Sequence, residues 1–112
     1  MATAGVSDKN KIDELVRRIV EAVQPLRIVL FGSAARDEAG PDSDLDVLVV
    51  MPEGSNRSET AGLLYTRMVG MKVPIDILVA TDSDLLRYQD SPGYVYKDIV
   101  REGRSIYAAP SP

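Results

Sequence analysis

The sequence predicts an α+β (α/β-like) domain, in which helices flank a short mixed β-sheet. Three observations predict this fold. Apolar runs of strand length lie at 26–31, 45–50 and 74–80, and turn-forming residues flank them. Apolar residues at helical spacing lie before, between and after these runs. The chain has 112 residues, which suits one domain, so all of these elements are expected to share one sheet.

The first helix is predicted from Asp8 to Val23, because apolar residues recur there three and four positions apart and Pro25 then stops the pattern. Residues 1–7 and 108–112 are expected to be flexible tails of this single domain. A second helix is predicted over 59–69, between the second and third strands.

The last predicted helix begins at Ser91 and Pro92, which are suited to the N-cap and the first helical position. It ends at Gly103, where glycine commonly terminates helices. Residues 105–107 then predict a short edge strand. No repeat or linker interrupts this order.

Composition excludes several classes of function. The chain has 17 acidic and 13 basic residues without a basic block, so direct binding of nucleic acid is not expected. It contains no cysteine and no histidine, which excludes thiolate catalysis and leaves only oxygen ligands for a metal. Such a site favours Mg²⁺ or Mn²⁺. No targeting signal or membrane-length apolar run is evident, which predicts a cytoplasmic protein without membrane contact.

Asp46 and Asp76 lie within the predicted strands, where aspartate is unfavourable, and Asp44 lies immediately before the second strand. Asp44 and Asp46 alternate at the start of the second strand and therefore share one face, and Asp76 lies near the start of the third. Two carboxylates about 5 Å apart repel by roughly 3 kcal/mol at an effective dielectric constant near 20. A divalent cation removes this cost. We therefore predict that all three bind metal, although the alternative is that they simply face solvent.

These aspartates also predict the catalytic chemistry. Two metal ions can hold the attacking and leaving oxygens of a phosphoryl displacement. Asp76 is expected to accept the proton of an attacking hydroxyl.

A glycine-serine turn precedes the aspartates. Gly32 allows close approach of a ligand, and Ser33 with the following amides could hold a phosphate. Arg36 could contact a phosphate oxygen, and Ser43 completes the expected nucleotide-binding set. The alternative is a plain turn capped by serine. No histidine activates Ser33 as a nucleophile, and the sequence lacks both the P-loop and the dinucleotide-binding glycine motifs.

The motif G-S-x10-D-x-D, followed by an aspartate in a later strand, resembles the DNA polymerase beta-like nucleotidyltransferase superfamily. The segment FGSAARDEAGPDSDLDVLVV is similar to its minimal, MNT-type (MntA-like) branch, and the resemblance extends over residues 26–107. It implies transfer of a nucleoside monophosphate from an ATP-like donor to a hydroxyl, with release of pyrophosphate. At the matching positions, Gly32 and Ser33 would bind phosphates, Asp44 and Asp46 metals, and Asp76 would complete the triad.

Members of this branch often accompany a HEPN-domain toxin as its antitoxin, and some transfer AMP to a tyrosine of that toxin. The resemblance thus implies a magnesium-dependent enzyme that uses ATP and acts on a protein partner. Two alternatives remain open: a nucleotidyltransferase for a small molecule such as an aminoglycoside, and a non-catalytic antitoxin that works by occlusion. The sequence leaves homo- or hetero-oligomers open.

Overall fold

The computed structural model describes residues 3–32, 44–88, 99 and 101–110. Their strands form one sheet in the order β3-β2-β1-β4. The strands are β1 (Arg27–Phe31), β2 (Leu45–Met51), β3 (Ile75–Thr81) and β4 (Arg104–Ala108). β1 pairs antiparallel with both β2 and β4, whereas β2 and β3 are parallel. The sheet is therefore mixed, which confirms the predicted fold class.

The described residues include three helices, α1 (Thr3–Val23), α2 (Arg57–Arg67) and α3 (Asp82–Tyr88). α2 connects β2 to β3, as a parallel pair of strands requires. Its N-cap is Asn56, whose side-chain oxygen accepts a hydrogen bond from the Glu59 N–H at 3.0 Å. This side chain thus satisfies one of the free amides at the helix start.

Apolar cores cover both faces of the sheet. On one face, Leu15 of α1 and Leu64 of α2 pack with the β2 residues Val47 and Val49, all of them fully buried. On the other face, a smaller buried core contains residues from β2, β3 and α3 together with Ile99. Alternation along β2 therefore sends Val47 and Leu48 to different cores. We call these the helix face and the carboxylate face, because the aspartates lie at the edge of the smaller core.

Residues 3–7 and Ala108, which belong to the two predicted tails, lie in regular structure. α1 begins at Thr3, five residues before the predicted start at Asp8. Periodicity detects only the packed part of a helix, and an existing helix extends at little cost where no proline intervenes. β4 continues to Ala108, and the Ala109 N–H donates to the Leu26 carbonyl at 2.8 Å. The edge strand predicted at 105–107 is confirmed.

α3 was not predicted. It is short, and its aspartates and serine are typical of turns. Its beginning is fixed by a reciprocal pair of hydrogen bonds: the Thr81 N–H donates to Asp84 Oδ2 at 3.0 Å, and the Asp84 N–H donates to Thr81 Oγ1 at 3.3 Å. This is the capping-box arrangement.

Most of the helix predicted from Ser91 to Gly103 lies outside the described residues. At its end, Ile99 is helical and buried. The Gly103 N–H donates to the Ile99 carbonyl at 2.8 Å, and β4 follows directly. The predicted end of this helix at Gly103 is thus confirmed. In the part of the chain that the structure describes, no helix has the length and apolar character needed to cross a membrane.

Candidate active site

The parallel register of β2 and β3 places Asp46 directly opposite Asp76. Neighbouring strands lie about 4.8 Å apart, and paired residues of parallel strands point to the same face. Each aspartate is followed two residues later by a leucine of the carboxylate-face core, Leu48 after Asp46 and Leu78 after Asp76. The two carboxylates therefore lie side by side where this core ends.

Asp44 lies immediately before β2 and is exposed. The adjacent residue, Leu45, donates its N–H to the Pro74 carbonyl at 2.9 Å, which aligns the start of β2 with the start of β3. The Asp44 charge acts on Asp46. All three predicted carboxylates thus belong to the same end of the sheet. The charges of both Asp44 and Asp76 act on Asp46.

Burial raises the pKa of Asp46 above its ordinary value. The negative charge of Asp76 raises it further, as do a hydrogen bond between the two carboxyl groups and the more distant charge of Asp44. Each of these effects favours the neutral carboxylic acid over the carboxylate. A cation at this position would act in the opposite direction, because it favours the charged form.

Asp46 and Asp76 fit a magnesium ion. Mg²⁺ is commonly bound by one or two carboxylates, with water and substrate phosphates as its remaining ligands. The chain supplies such a pair of hard oxygen donors, and burial penalises the charge of Asp46 in the absence of a cation. Among the described residues, no group of three or more acidic side chains has an arrangement that could hold a metal ion. The participation of Asp44 as a third ligand remains a prediction.

Gly32 lies against Asp46 at the end of β1. The last β1 residue, Phe31, pairs with Asp46, so the following residue passes beside its carboxylate. Gly32 has a φ of 74°, a conformation that other L-residues rarely adopt. A Cβ at this position would collide with Asp46 Oδ2 and lie 3.3 Å from Asp46 Cγ. Glycine therefore suits both the positive φ at this position and the space that the carboxylate occupies.

This contact was not predicted, because the sequence assigned Gly32 to phosphate binding alone. The signal that could have revealed it is the hairpin register, which places Phe31 opposite Asp46. The other predicted nucleotide-binding residues, Ser33, Arg36 and Ser43, lie outside the described residues, and their assignment remains a prediction.

A tyrosine of α2 supports the strand that carries Asp76. β3 lies at an edge of the sheet, where backbone groups lack a strand partner. The Ile77 N–H donates to the Tyr65 hydroxyl at 3.0 Å. This hydrogen bond holds β3 one residue after Asp76 and satisfies a donor at the free edge.

The fold is similar to that of a candidate nucleotidyltransferase and to folds in solved toxin–antitoxin structures. A crystal structure of a candidate nucleotidyltransferase from Sulfolobus solfataricus superposes with a TM-score of 0.64 at 19% identity, covering 96% of this chain and 89% of that one. A toxin–antitoxin structure with AMP-PNP has a TM-score of 0.59 at 20% identity, with 89% and 73% coverage. A mutant of the MntA-HpeT toxin–antitoxin has a TM-score of 0.57 at 20% identity, with 90% and 72% coverage.

At these identities the similarity establishes the fold. No curated protein sequence matches the chain significantly. The sequence itself gives the family. The family model for the nucleotidyltransferase domain matches residues 12–106, a span that includes the strands of the sheet up to Ile106 of β4, together with Gly32, Asp44, Asp46 and Asp76. The chain therefore belongs to the nucleotidyltransferase domain family.

Proposed function

We propose that this protein transfers AMP from ATP to a hydroxyl of a protein partner, in a reaction that depends on Mg²⁺ or Mn²⁺. The observation that carries this proposal is the pairing of Asp46 with Asp76 beside Gly32. The family gives the reaction class, and the carboxylate pair supports the proposal of a metal at this position.

In the proposed reaction, the acceptor oxygen attacks the α-phosphorus of ATP. A new phosphoester bond forms, the bond between the α-phosphorus and the bridging oxygen breaks, and pyrophosphate leaves with that oxygen. Asp76, the more exposed member of the pair, takes the proton of the acceptor hydroxyl. Asp46 and Asp76 would hold the metal, and the ion would supply positive charge that offsets the negative charge of the triphosphate. We propose Asp44 as a further ligand, which requires its side chain to move, because the three carboxylates do not form a metal-binding group as they stand.

Gly32, with Ser33, Arg36 and Ser43, is assigned to the triphosphate in this proposal. Gly32 contributes the absence of a side chain beside Asp46, which leaves room for the Asp46 carboxylate.

A protein acceptor is favoured for two reasons. A domain of 112 residues has little concave surface left once it holds a nucleotide, which favours an acceptor that lies outside this domain. Two of the similar structures are toxin–antitoxin complexes, one of them with AMP-PNP. We assign the partner to the HEPN-domain toxins, with a tyrosine hydroxyl as acceptor, and place the reaction in the cytoplasm. Modification would silence the toxin, which makes this chain an antitoxin.

A labelling experiment tests the proposal. The protein is incubated with Mg²⁺ and a lysate of its host, in parallel with ATP labelled at the α-phosphate and with ATP labelled at the γ-phosphate. We expect one polypeptide to acquire label from the α-position only, and mass spectrometry to locate AMP on a tyrosine. Label from the γ-position would instead indicate phosphoryl transfer and would refute the proposed reaction.

Matched variants identify the site. Asp46→Asn and Asp76→Asn should abolish labelling, whereas Asp13→Asn, the same change at an exposed position of α1, should leave it unchanged. If the wild-type protein binds and inhibits its partner without labelling it, and both site variants inhibit equally well, the occlusion mechanism replaces the catalytic one.

A further inference from the structure

α2 uses only one side to pack against the domain. Leu64 is fully buried, and Ala61 and Met68 are half-buried against the helix-face core. The opposite side is exposed, although the seven residues 60–66 contain no charge. Seven consecutive uncharged residues on a solvent-facing helix are unusual in a chain with 27% charged residues, and exposed uncharged surfaces are common where another protein binds.

The exposed side has a symmetric pattern of charge. Glu59, Leu63 and Arg67 are four residues apart and form one row along α2; we call this row the α2 ridge. All three are exposed, Leu63 by 39%. Neither Glu59 nor Arg67 forms an ion pair with any residue in the described part of the chain. The α2 ridge is thus acidic at one end, apolar in the middle and basic at the other.

This pattern is complementary to itself when one copy is reversed. If two ridges lie antiparallel about a twofold axis at Leu63, residue 63−k of one copy meets residue 63+k of the other. Glu59 of each copy then meets Arg67 of the other copy, which gives two such contacts. The two Leu63 side chains meet on the axis. Rows of residues four apart also pack in the most common class of helix pairs, and antiparallel helices oppose their dipoles favourably.

The residues beside the ridge permit this approach. Gly62 and Thr66 are small and exposed. Apart from the neighbouring residues and the backbone of α2 itself, no atom of the described residues lies within 4 Å of a Cβ built at Gly62. Leu63 therefore has an open shallow space next to it, into which the same residue of a second copy can fit.

We infer that the α2 ridge is the contact surface of a homodimer, in which each copy presents Glu59, Leu63 and Arg67 to the other in antiparallel order. α2 packs on the helix face, whereas Asp46 and Asp76 lie on the carboxylate face. Both candidate active sites would remain accessible in the dimer. A contact of one helix per copy is small, so the expected dissociation constant is micromolar, on the order of 10–100 µM.

Charge reversal with mixing tests this arrangement by analytical ultracentrifugation of the full chain at low salt. Glu59→Lys places a lysine opposite Arg67 of the second copy, and Arg67→Glu places a second glutamate opposite Glu59. Each variant alone should dimerise at least about tenfold more weakly than the wild type. An equimolar mixture should recover dimers, because both contacts then join opposite charges. The double variant with both Glu59→Lys and Arg67→Glu should also form dimers, because both contacts again join opposite charges. Its net charge stays at −4.

Two further variants separate the contact from folding and from net charge. Gly62→Gln should fold at least as well as the wild type, because glycine is unfavourable within a helix, yet should weaken dimers by blocking the approach. Lys9→Glu makes the same charge change as Arg67→Glu at an exposed position of α1 and should leave dimers intact. The inference is overturned if the wild type stays monomeric up to about 300 µM, if the mixed variants stay monomeric, or if Lys9→Glu weakens dimers as much as Arg67→Glu.

Discussion

Replacing Asp46 by asparagine should stabilise the metal-free protein at neutral pH. Asparagine has nearly the same shape as aspartate, so the substitution removes the charge and keeps the volume. The raised pKa of Asp46 has burial as its first cause and the neighbouring Asp76 carboxylate as its second. Both causes penalise the carboxylate in the folded state, and asparagine experiences neither of them.

The expected magnitude follows from the strand pairing. Carboxylates on neighbouring strands about 5 Å apart repel by about 3 kcal/mol at an effective dielectric constant of 20. Asp76 is exposed, so solvent screens much of this repulsion, and we expect about 1 kcal/mol to remain. For a domain of this size, that corresponds to a rise in Tm of about 4 °C.

The dependence on pH has a definite sign. The folded-state pKa of Asp46 lies above its value in the unfolded chain, so the folded state binds this proton more tightly. The stability contributed by Asp46 is fully present below the unfolded pKa and is lost as the pH rises through the folded pKa. The advantage of Asp46→Asn should therefore be present at pH 7 and absent below about pH 3.5.

Urea unfolding in the presence of EDTA measures the effect, with Asp13→Asn as a control that should change the free energy of unfolding little at either pH. Added Mg²⁺ should reduce or reverse the advantage, because only the wild type keeps both carboxylates. If Asp46→Asn destabilises the metal-free protein at pH 7, or stabilises it equally at pH 3, the carboxylate pair does not carry the electrostatic cost derived above.

Three other outcomes are expected. Gly32→Ala and Gly54→Ala should each lose about 1–2 kcal/mol of stability in urea, because both glycines have positive φ. Only Gly32→Ala should also lose AMP transfer, since its methyl group displaces the Asp46 carboxylate. Equal AMP transfer by the two variants would contradict this. Tyr65→Phe should cost about 1 kcal/mol of unfolding free energy through loss of the hydrogen bond from Ile77, and an unchanged urea midpoint would show that water replaces the hydroxyl. Mg²⁺ and ATP together should raise the Tm more than either alone, whereas equal melting in all conditions would argue against a nucleotide site.

The sequence predicts the three core strands well because they are apolar runs of the right length, rich in valine, leucine and isoleucine. The same pattern predicts that Asp44 and Asp46 share a face. β2 begins at Leu45, so strand alternation applies to Asp46, and the shared face with Asp44 stays a prediction. What it does not predict is the order of strands. The proximity of Asp46 to Asp76 arises from the parallel register of β2 and β3, and a register is a long-range property.

The elements that were missed lack the apolar periodicity by which helices and strands are predicted. α3 is too short for periodicity to be visible, and its only indicator is the threonine-to-aspartate capping pair at Thr81 and Asp84. The start of α1 was placed too late because residues 3–7 lack the apolar spacing that identifies a packed helix. Contact between Gly32 and Asp46 depends on the hairpin register, which a motif search cannot give.

The fold and the candidate site depend on the same alternation in β2. Val47 and Val49 are fully buried on the helix face, so a slip of one residue would turn them towards the carboxylate face and send Asp46 into the larger core. An unpaired carboxylate in an apolar core costs several kcal/mol or is forced to take up a proton. The buried valines therefore fix the register that holds Asp46 opposite Asp76. The electrostatic cost of that pair is small compared with the cost of the alternative register, which explains how a stable fold can retain two neighbouring carboxylates for a metal.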